Sequence, residues 1–234
     1  MKSLQKAFDI LEYVILQNGA NVTPSEAADA LKINLATCTR IMGELVRMGY
    51  LAKISRKSGY VAGPMTVSLC TRDQVYKRIA DTAENPVRTL SEELGCQVNI
   101  SVLHESQRVM LSYHLGNPYT EPWKVFRFTD HQDTATGRLL LAVQSVSGAE
   151  EICRLCGLPL SGEEYHNRIT RDGFLRFELD GLSIIGYLIR VPGYPVSAFG
   201  FGVPKVSADR AFELAAETAR IITEKLTAPV CQAY

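Results

Sequence analysis

The stretch between residues 23 and 47 limits most strongly what this chain can fold into. Thr23-Pro24-Ser25-Glu26 combines a good N-cap residue, a proline suited to the first helical turn and a glutamate placed to complete a capping box. It predicts a short helix from Pro24 to about Leu31, followed by a tight turn at Lys32-Ile33. Asn34 is well suited to cap the helix that comes next. Two short helices joined by a tight turn indicate a helix-turn-helix.

The flanking sequence completes a small domain over residues 1–64. A preceding helix is predicted over residues 3–17, and residues 50–54 and 60–62 read as two short strands around the basic tip of a hairpin. Three helices and a hairpin are typical of a winged helix-turn-helix. The apolar side chains of the first helix recur at helical spacing and predict one buried face: Leu4, Ala7, Phe8, Leu11, Val14 and Ile15.

The rest of the chain predicts a different architecture. Residues 65–94 are expected to be helical with a break near Asn85-Pro86, and residues 65–80 form a linker helix ahead of a second domain at 81–234. A half-buried strand is indicated where Cys96, Val98, Ile100 and Val102 alternate with Gln97, Asn99 and Ser101. Further strands are predicted at 109–115, 124–128, 175–179, 182–191 and 196–203, and helices at 134–146 (capped by Asp133), 149–156 and 207–226. The fold class is therefore α+β, with an antiparallel sheet in the second domain.

Composition restricts the compartment and the chemistry. No apolar run approaches the ~18–20 residues that span a bilayer, and no leader peptide is evident, so we expect a cytoplasmic protein without membrane partners. Six cysteines are then expected to be thiols. Cys153 and Cys156 form one C-x-x-C, with His166 as a conceivable third ligand, but we favour helix packing over a metal or redox role. We expect no cofactor and no metal.

Charge is distributed unevenly although Lys+Arg and Asp+Glu both total 25. Residues 1–64 contain eight basic and five acidic residues, a net charge of +3, which leaves −3 for the remainder of the neutral chain. A basic small domain followed by an acidic larger one favours contact of the first with phosphates.

The third helix carries the sharper signal. Cys38, Ile41, Met42, Leu45 and Met48 gather on one face, while Ala36, Arg40, Gly43 and Arg47 lie opposite, flanked by Thr37, Thr39 and Glu44. An ordinary solvated helix is one interpretation. Together with the capped helix and the basic hairpin, however, small residues and outward arginines favour insertion into a DNA groove.

Several side chains are therefore expected to contact an operator in double-stranded DNA. For the hairpin-tip residues Arg56 and Lys57, a solvated turn remains the alternative to backbone or minor-groove contact. Asn34 lies where the N–H groups at a helix start favour an anionic oxygen. The full set of expected DNA contacts is Thr23, Asn34, Ala36, Thr37, Thr39, Arg40, Arg47, Arg56 and Lys57.

The whole chain resembles the IclR-type transcriptional regulators of bacteria. The resemblance rests on "SLQKAFDILEYV", "ATCTRIMGELVRMGYL" and "SGYVAGP", on "DTATGRLLLA" from Asp133 to Ala142, and on "FGFGVP" in the last strand. It implies a winged helix-turn-helix, a linker helix, and an α+β domain that binds a small-molecule effector and regulates DNA binding. It also implies a homodimer or a homotetramer.

The resemblance also implies an effector site. Thr134, Ala135 and Gly137 fall on the family's effector-helix motif together with Arg138, and Asp172 falls near an acidic position that often lines the pocket. The chain departs from the family pattern at Ile184, where a cysteine is frequent, and at Gly200-Phe201-Gly202, which replaces Ser-x-Ser. The expected effector-binding residues are Thr134, Ala135, Gly137, Asp172, Ile184, Gly200 and Gly202.

The glycines at 200 and 202 suggest what the effector is. If they leave open space, the site favours a bulkier and more apolar effector, such as an aromatic molecule, with Phe199 or Phe201 nearby. Close packing of strands, or a bulge, is the alternative.

An enzyme is the competing class of function. The sequence contains no G-x-S-x-G, no P-loop and no H-E-x-x-H, and its four histidines are scattered, so we do not expect catalysis. A sensor protein whose helical appendage serves only protein contacts is the remaining alternative.

Overall fold

The computed structural model describes residues 2–55, 59–71, 74–117 and 125–228 of the 234-residue chain. It is an α+β protein with two compact units. Of the described residues, the first unit contains those up to residue 71 together with Val125, and the second contains the rest. In the described ranges no helix is both long and apolar enough to cross a membrane.

The N-terminal unit contains the predicted helix-turn-helix and hairpin. Its elements are α1 (Lys2–Ile15), α2 (Pro24–Leu31), α3 (Leu35–Arg47), β1 (Leu51–Ser55), β2 (Gly59–Ala62) and α4 (Pro64–Cys70). The strands β1 and β2 are antiparallel, and Val22 forms a single bridge to Tyr60. The core of the unit is closed by side chains from all of these parts except α4, among them Ile10, Val14, Ala27, Ile41, Met42 and Leu51.

Local side-chain hydrogen bonds fix the start of both helices of the helix-turn-helix. Thr23 and Glu26 form a reciprocal capping box at α2, and Asn34 caps α3 through the N–H groups of Ala36 and Thr37. Between them Lys32 has φ +53°, the left-handed conformation that ends a helix sharply. These capping predictions are confirmed.

The predicted buried faces of α1 and α3 need correction. Leu4, Phe8 and Met48 are 66%, 53% and 53% exposed, although their spacing had placed all three in the core. They lie at the edge of the apolar stripe, where the neighbouring helices do not reach, and periodicity alone cannot locate that edge. The unit consequently presents an apolar groove at its surface, lined by Leu4, Ala7, Phe8, Leu11, Leu45, Met48 and Tyr50.

The helical segment after the hairpin breaks earlier than the sequence suggests. The helix α4 ends at Cys70, and α5 (Val75–Leu94) then runs through Pro86 without interruption. The predicted break at Asn85-Pro86 is therefore wrong. Proline removes one hydrogen bond of the helix, but Ala83 and Val87 on either side of it are fully buried. The packing of the buried face of α5 outweighs the free-energy cost of the hydrogen bond lost at Pro86.

The second unit is built on one antiparallel six-stranded sheet. Its strands are β3 (Val98–His104), β4 (Gln107–His114), β5 (Arg127–Phe128), β6 (Phe174–Leu179), β7 (Leu182–Ile189) and β8 (Ser197–Pro204), in the order β5-β4-β3-β8-β7-β6. The helices are α5, α6 (Ala135–Gln144), α7 (Val146–Cys156), α8 (Gly162–Asp172) and α9 (Ala208–Thr227). One core joins α5 and α9 to one face of the sheet, and a second core joins α6, α7 and α8 to the other.

The caps at the starts of α6 and α8 differ from what the sequence analysis assigned. The N-cap of α6 is Thr134 and not Asp133, because the Thr134 hydroxyl accepts from the N–H of Gly137. The helix α8 has no counterpart among the predicted elements. It begins with a capping box between Ser161 and Glu164, the same signal that identifies α2 in the sequence.

Candidate nucleic-acid interface and effector site

One face of α3 forms an exposed stripe of small and basic residues. Ala36, Arg40, Gly43 and Arg47 are all exposed and follow one another at helical spacing; we call them the recognition stripe. A Cβ atom at Gly43 would have no atom within 4 Å, so the helix backbone itself is open to a close approach there. The opposite face, with Cys38, Ile41, Met42 and Leu45, is buried.

The two arginines of the stripe differ in their surroundings. Arg47 is paired with Glu44, at 2.9 Å from Nε and 2.8 Å from Nη2 to the same carboxylate oxygen. Both side chains are exposed, so the pair contributes only about 0–1 kcal/mol and a phosphate can compete for Arg47. Arg40 makes no ion pair with any residue in the described part of the chain. Among the described residues, its guanidinium has no acidic partner, and it lies at the centre of the stripe.

The start of α3 is already occupied by its own cap. Asn34 Oδ1 accepts from the N–H of Ala36 (3.0 Å) and of Thr37 (3.4 Å), so these two N–H groups are bonded within the chain, and the anion contact expected there stays a prediction. The amide nitrogen of Asn34 stays available as a donor. Thr39 donates its hydroxyl to Leu35 O at 2.9 Å, and in this rotamer it can only accept a hydrogen bond from a base.

Thr23 caps the start of α2, in addition to any contact with DNA. Its backbone N–H and its hydroxyl both donate to Glu26 Oε2, at 2.7 and 2.8 Å. The same interaction lowers the pKa of the Glu26 carboxyl, because Thr23 stabilises its charged form. The hairpin-tip residues Arg56 and Lys57 lie outside the described residues.

We expect Thr23→Ala to lower the free energy of unfolding of the N-terminal unit by about 1 kcal/mol, because the α2 cap is lost. Urea denaturation of the full chain, followed by far-UV circular dichroism, measures this. Thr71→Ala is the matched control, since its hydroxyl donates to Ser68 O at the end of α4 and caps no helix start. Equal stability of Thr23→Ala and the parent protein would contradict the capping role.

In the second unit, the motif residues at the start of α6 lie directly on the sheet. A Cβ atom at Gly186 would come within 2.6 Å of Ala135 Cβ, and one at Gly200 within 3.1 Å of Thr136 Cγ2. Gly186 and Gly200 are directly paired between β7 and β8. The space expected above Gly200 is therefore filled by α6, and the close-packing alternative describes this position.

The predicted neighbours of the effector are distributed over both faces of the sheet. Ile184 pairs with Gly202 on the α6 side, where Ile184 Cδ1 would lie 3.0 Å from a Cβ atom at Gly202. Phe199 belongs instead to the core with α5 and α9, and its ring stacks on Tyr187 at 6.0 Å between centroids. Phe201 joins the same core, so the expectation that either phenylalanine lies beside an effector at Gly200 is wrong: adjacent residues of a strand point to opposite faces.

Asp172 and Gly137 have clear local roles. Asp172 ends α8 and is bound by Arg171, with 2.7 Å between Oδ1 and Nε, which holds the pKa of this carboxyl below its usual value. At Gly137 a Cβ atom would lie 2.6 Å from the Cα of His131, so only glycine fits below the loop that precedes α6.

A buried group of polar residues lies on the same face as Gly200. Asn99, Ser101 and Arg108 are 7%, 0% and 1% exposed, and together with Asp130 we call them the polar cluster. Arg108 Nη2 donates to both carboxylate oxygens of Asp130, at 2.9 and 3.1 Å, while Nη1 lies 3.4 Å from Asn99 Oδ1 and 3.3 Å from Ser101 Oγ. The predicted half-buried strand is thus buried on both faces, because Arg108 satisfies its polar side.

The C-x-x-C is packed within the helical layer. Cys153 and Cys156 are free thiols of α7, and burial raises the pKa of both. Among the described residues, no three His, Cys, Asp or Glu side chains are grouped so that they could hold a metal ion.

Comparison with known proteins decides the class of the N-terminal unit. Residues 3–55 match the family described as the IclR helix-turn-helix domain. The N-terminal unit is an IclR helix-turn-helix domain. The match assigns a DNA-binding domain to this part of the chain. No curated protein matches it.

Solved structures share the fold of this chain along nearly its whole length. An IclR homologue from Microbacterium hydrocarbonoxydans, in complex with 4-hydroxybenzoate, has 18% identity and a TM-score of 0.72, covering 97% of this chain and 100% of its own. An IclR regulator from Alicyclobacillus acidocaldarius has 17% identity and a TM-score of 0.67, with 96% and 98% covered. The IclR of Thermotoga maritima has 19% identity and a TM-score of 0.61, with 97% and 100% covered.

Sequence reasoning missed several residues of both candidate sites. Leu35 at the start of α3 is 51% exposed beside the recognition stripe, and an exposed apolar residue there suits a thymine methyl group. Its position in the helical repeat could have identified it from the sequence as a neighbour of the stripe. The polar cluster was missed because Asn99 and Ser101 looked like the solvated side of a strand, and the only hint was a charged Arg108 within β4.

Proposed function

We propose that this IclR-type chain is a ligand-responsive, sequence-specific regulator, in which α3 enters the major groove of an operator. The observation that carries the proposal is the recognition stripe, since Gly43 and Ala36 allow close approach and Arg40 is unpaired within the described residues. Arginine in this setting is the commonest reader of guanine edges.

The proposed DNA contacts fall into two kinds. We assign base-edge contacts to Ala36, Arg40, Thr39 and Leu35. We assign phosphate contacts to Arg47 and the Asn34 amide. Thr37 is half-buried at the edge of the stripe. Thr23, Arg56 and Lys57 complete the proposed set as backbone or minor-groove contacts.

Arg40→Ala should weaken binding to the operator by about 1–3 kcal/mol and relax sequence preference at one base position. The operator is first located by protection of promoter DNA, and fluorescence anisotropy then gives the affinities. Arg154→Ala, an exposed arginine on α7 in the second unit, is the matched control and should bind like the parent protein. Unchanged operator affinity in Arg40→Ala would remove this residue from the interface.

For the second unit we propose a site for a small organic effector on the α6 face of the sheet. The structural neighbour in complex with 4-hydroxybenzoate supports this choice, and so do the buried polar groups beside Gly200. Thr134, Ala135, Gly137, Ile184 and the two glycines border this face, with Asp172 at the end of α8. Operator binding measured with and without aromatic acids tests it, and no ligand effect on DNA affinity would contradict it.

We also propose that the regulator acts as a homodimer or larger homo-oligomer. A single α3 is a short reading element, and two copies related by a two-fold axis read a palindrome. The apolar groove of the N-terminal unit, about 200 Å³ in volume and flanked by exposed Leu4 and Phe8, suits self-association. Light scattering at several concentrations measures the state, and a monomer throughout would contradict the proposal.

A further inference from the structure

The guanidinium of Arg108 is buried with one donor unused. Nη1 faces Asn99 and Ser101, and Nη2 donates to Asp130, but Nε has no acceptor among the described residues. The side chain is 1% exposed, and buried donors in proteins almost always have a partner. This position therefore favours one more oxygen atom.

The hydrogen bonds between Asp130 and Arg108 do not use the strongest geometry that a carboxylate can adopt on arginine. Both Asp130 oxygens accept from the same nitrogen, Nη2, whereas a carboxylate bound side-on to arginine takes Nε and Nη2 together. Asp130 is also the accessible member of the pair, since its side chain is 38% exposed. Its carboxylate can turn to water, and the Arg108 guanidinium cannot.

A second unused polar group lies beside the polar cluster. Thr136 is 1% exposed, and its hydroxyl has no partner within the described residues. Gly200 connects the two, because its carbonyl accepts from Asn99 Nδ2 at 3.3 Å and a Cβ atom there would lie 3.1 Å from Thr136 Cγ2. Thr136 stands in the first turn of α6, whose positive end adds to the attraction for an anion.

We propose that Arg108 is the residue that selects a carboxylate in the effector site. A small organic carboxylate binds through Nε and Nη2 of Arg108 with the Thr136 hydroxyl as a further donor, and Asp130 is displaced to solvent. The proposal rests on the proposed function, in which this unit binds a small effector. The displacement also reaches α6, because the Asp130 carbonyl accepts from Thr134, the N-cap of that helix, at 3.4 Å.

The test uses the full chain, with acetate and benzoate as carboxylate probes and benzamide as the neutral analogue of benzoate. Isothermal titration calorimetry should show binding of benzoate and not of benzamide. Asp130→Asn should bind the carboxylates about tenfold more tightly or better, because the internal competitor is gone and the competent state is fully populated. Asp209→Asn, at an exposed pair with Arg176, is the matched control and should change nothing.

Other results overturn the inference, and they separate it from the proposed function. Equal binding of benzoate and benzamide shows that no charged group selects the ligand. Failure of Asp130→Asn to bind either acetate or benzoate more tightly than the parent protein shows that Arg108 is not the anchor. Arg108→Lys, which keeps the charge without the two-pronged geometry, should lose benzoate binding about tenfold. If operator affinity still responds to a neutral ligand in these variants, the proposed function stands and the carboxylate assignment falls.

Discussion

Phe199→Ala should lower the free energy of unfolding of the second unit by about 3–5 kcal/mol, the usual loss for a fully buried phenylalanine. The ring is completely buried between the sheet and the α5–α9 layer, and it stacks on Tyr187 with 14° between the ring planes. Truncation removes this contact and leaves a cavity that close-packed neighbours fill only in part.

Chemical denaturation followed by far-UV circular dichroism measures the loss. Val206→Ala is the control at the surface, since that side chain is 96% exposed and its truncation should stay within about 0.5 kcal/mol. The comparison also decides between the two faces of β8. A small loss of stability in Phe199→Ala combined with a large loss of effector binding would place Phe199 in a ligand pocket and contradict the core assignment.

Asp130→Ala should cost about 3 kcal/mol of stability, because it leaves the Arg108 charge buried without its counter-ion. We expect the low end of the range for such pairs, since the aspartate is 38% exposed. Replacing both members, with Arg108→Met and Asp130→Ala together, should recover much of the loss, because no charge then remains in the interior.

The control for this prediction is Asp209→Ala. Its pair with Arg176 has a 2.6 Å contact, but the aspartate side chain is 94% exposed, so the change should cost at most about 1 kcal/mol. The same denaturation experiment compares the variants. Equal losses of unfolding free energy in the two variants would show that the burial of Arg108 does not make its pair with Asp130 more important for stability.

The helix-turn-helix could be predicted because its signals are local. Thr23 with Glu26, and Asn34 with the N–H groups of Ala36 and Thr37, act within three residues of one another. Burial is a tertiary property and was predicted less well. Leu4, Phe8 and Met48 have the right spacing for the core, yet no neighbouring element covers them.

In the second unit, both the local signals and the burial of side chains were hard to interpret from the sequence. The helix α8 is mostly polar, and only Gly162, Tyr165 and Ile169 are buried in it. Its capping box was therefore not followed by a clear helical repeat of apolar residues. Pro86 indicated a break that packing on the sheet overrides. The start of α6 was located by its motif, but its contact with Gly186 and Gly200 depends on how far the helix approaches the strands.

The polar cluster could not be predicted from the sequence, because its members are far apart along the chain. Its hydrogen bonds join residues 9, 22 and 101 positions apart, in Asn99–Arg108, Arg108–Asp130 and Asn99–Gly200. No local pattern connects these side chains. Strand order and register bring them together, and only the folded sheet shows that Arg108 is buried.

The central proposal, that the N-terminal unit binds an operator through α3, is tested most directly by the salt dependence of the protein's affinity for the protected promoter fragment. Fluorescence anisotropy over a series of salt concentrations should show log K falling linearly with log[salt], with a slope of about −0.9 for each phosphate neutralised. Arg47→Ala should make the slope shallower by about one, and Arg40→Ala should weaken the operator more than random DNA. Affinity that is independent of salt, and equal for operator and random sequence, would contradict the account and favour a helical appendage that serves protein contacts.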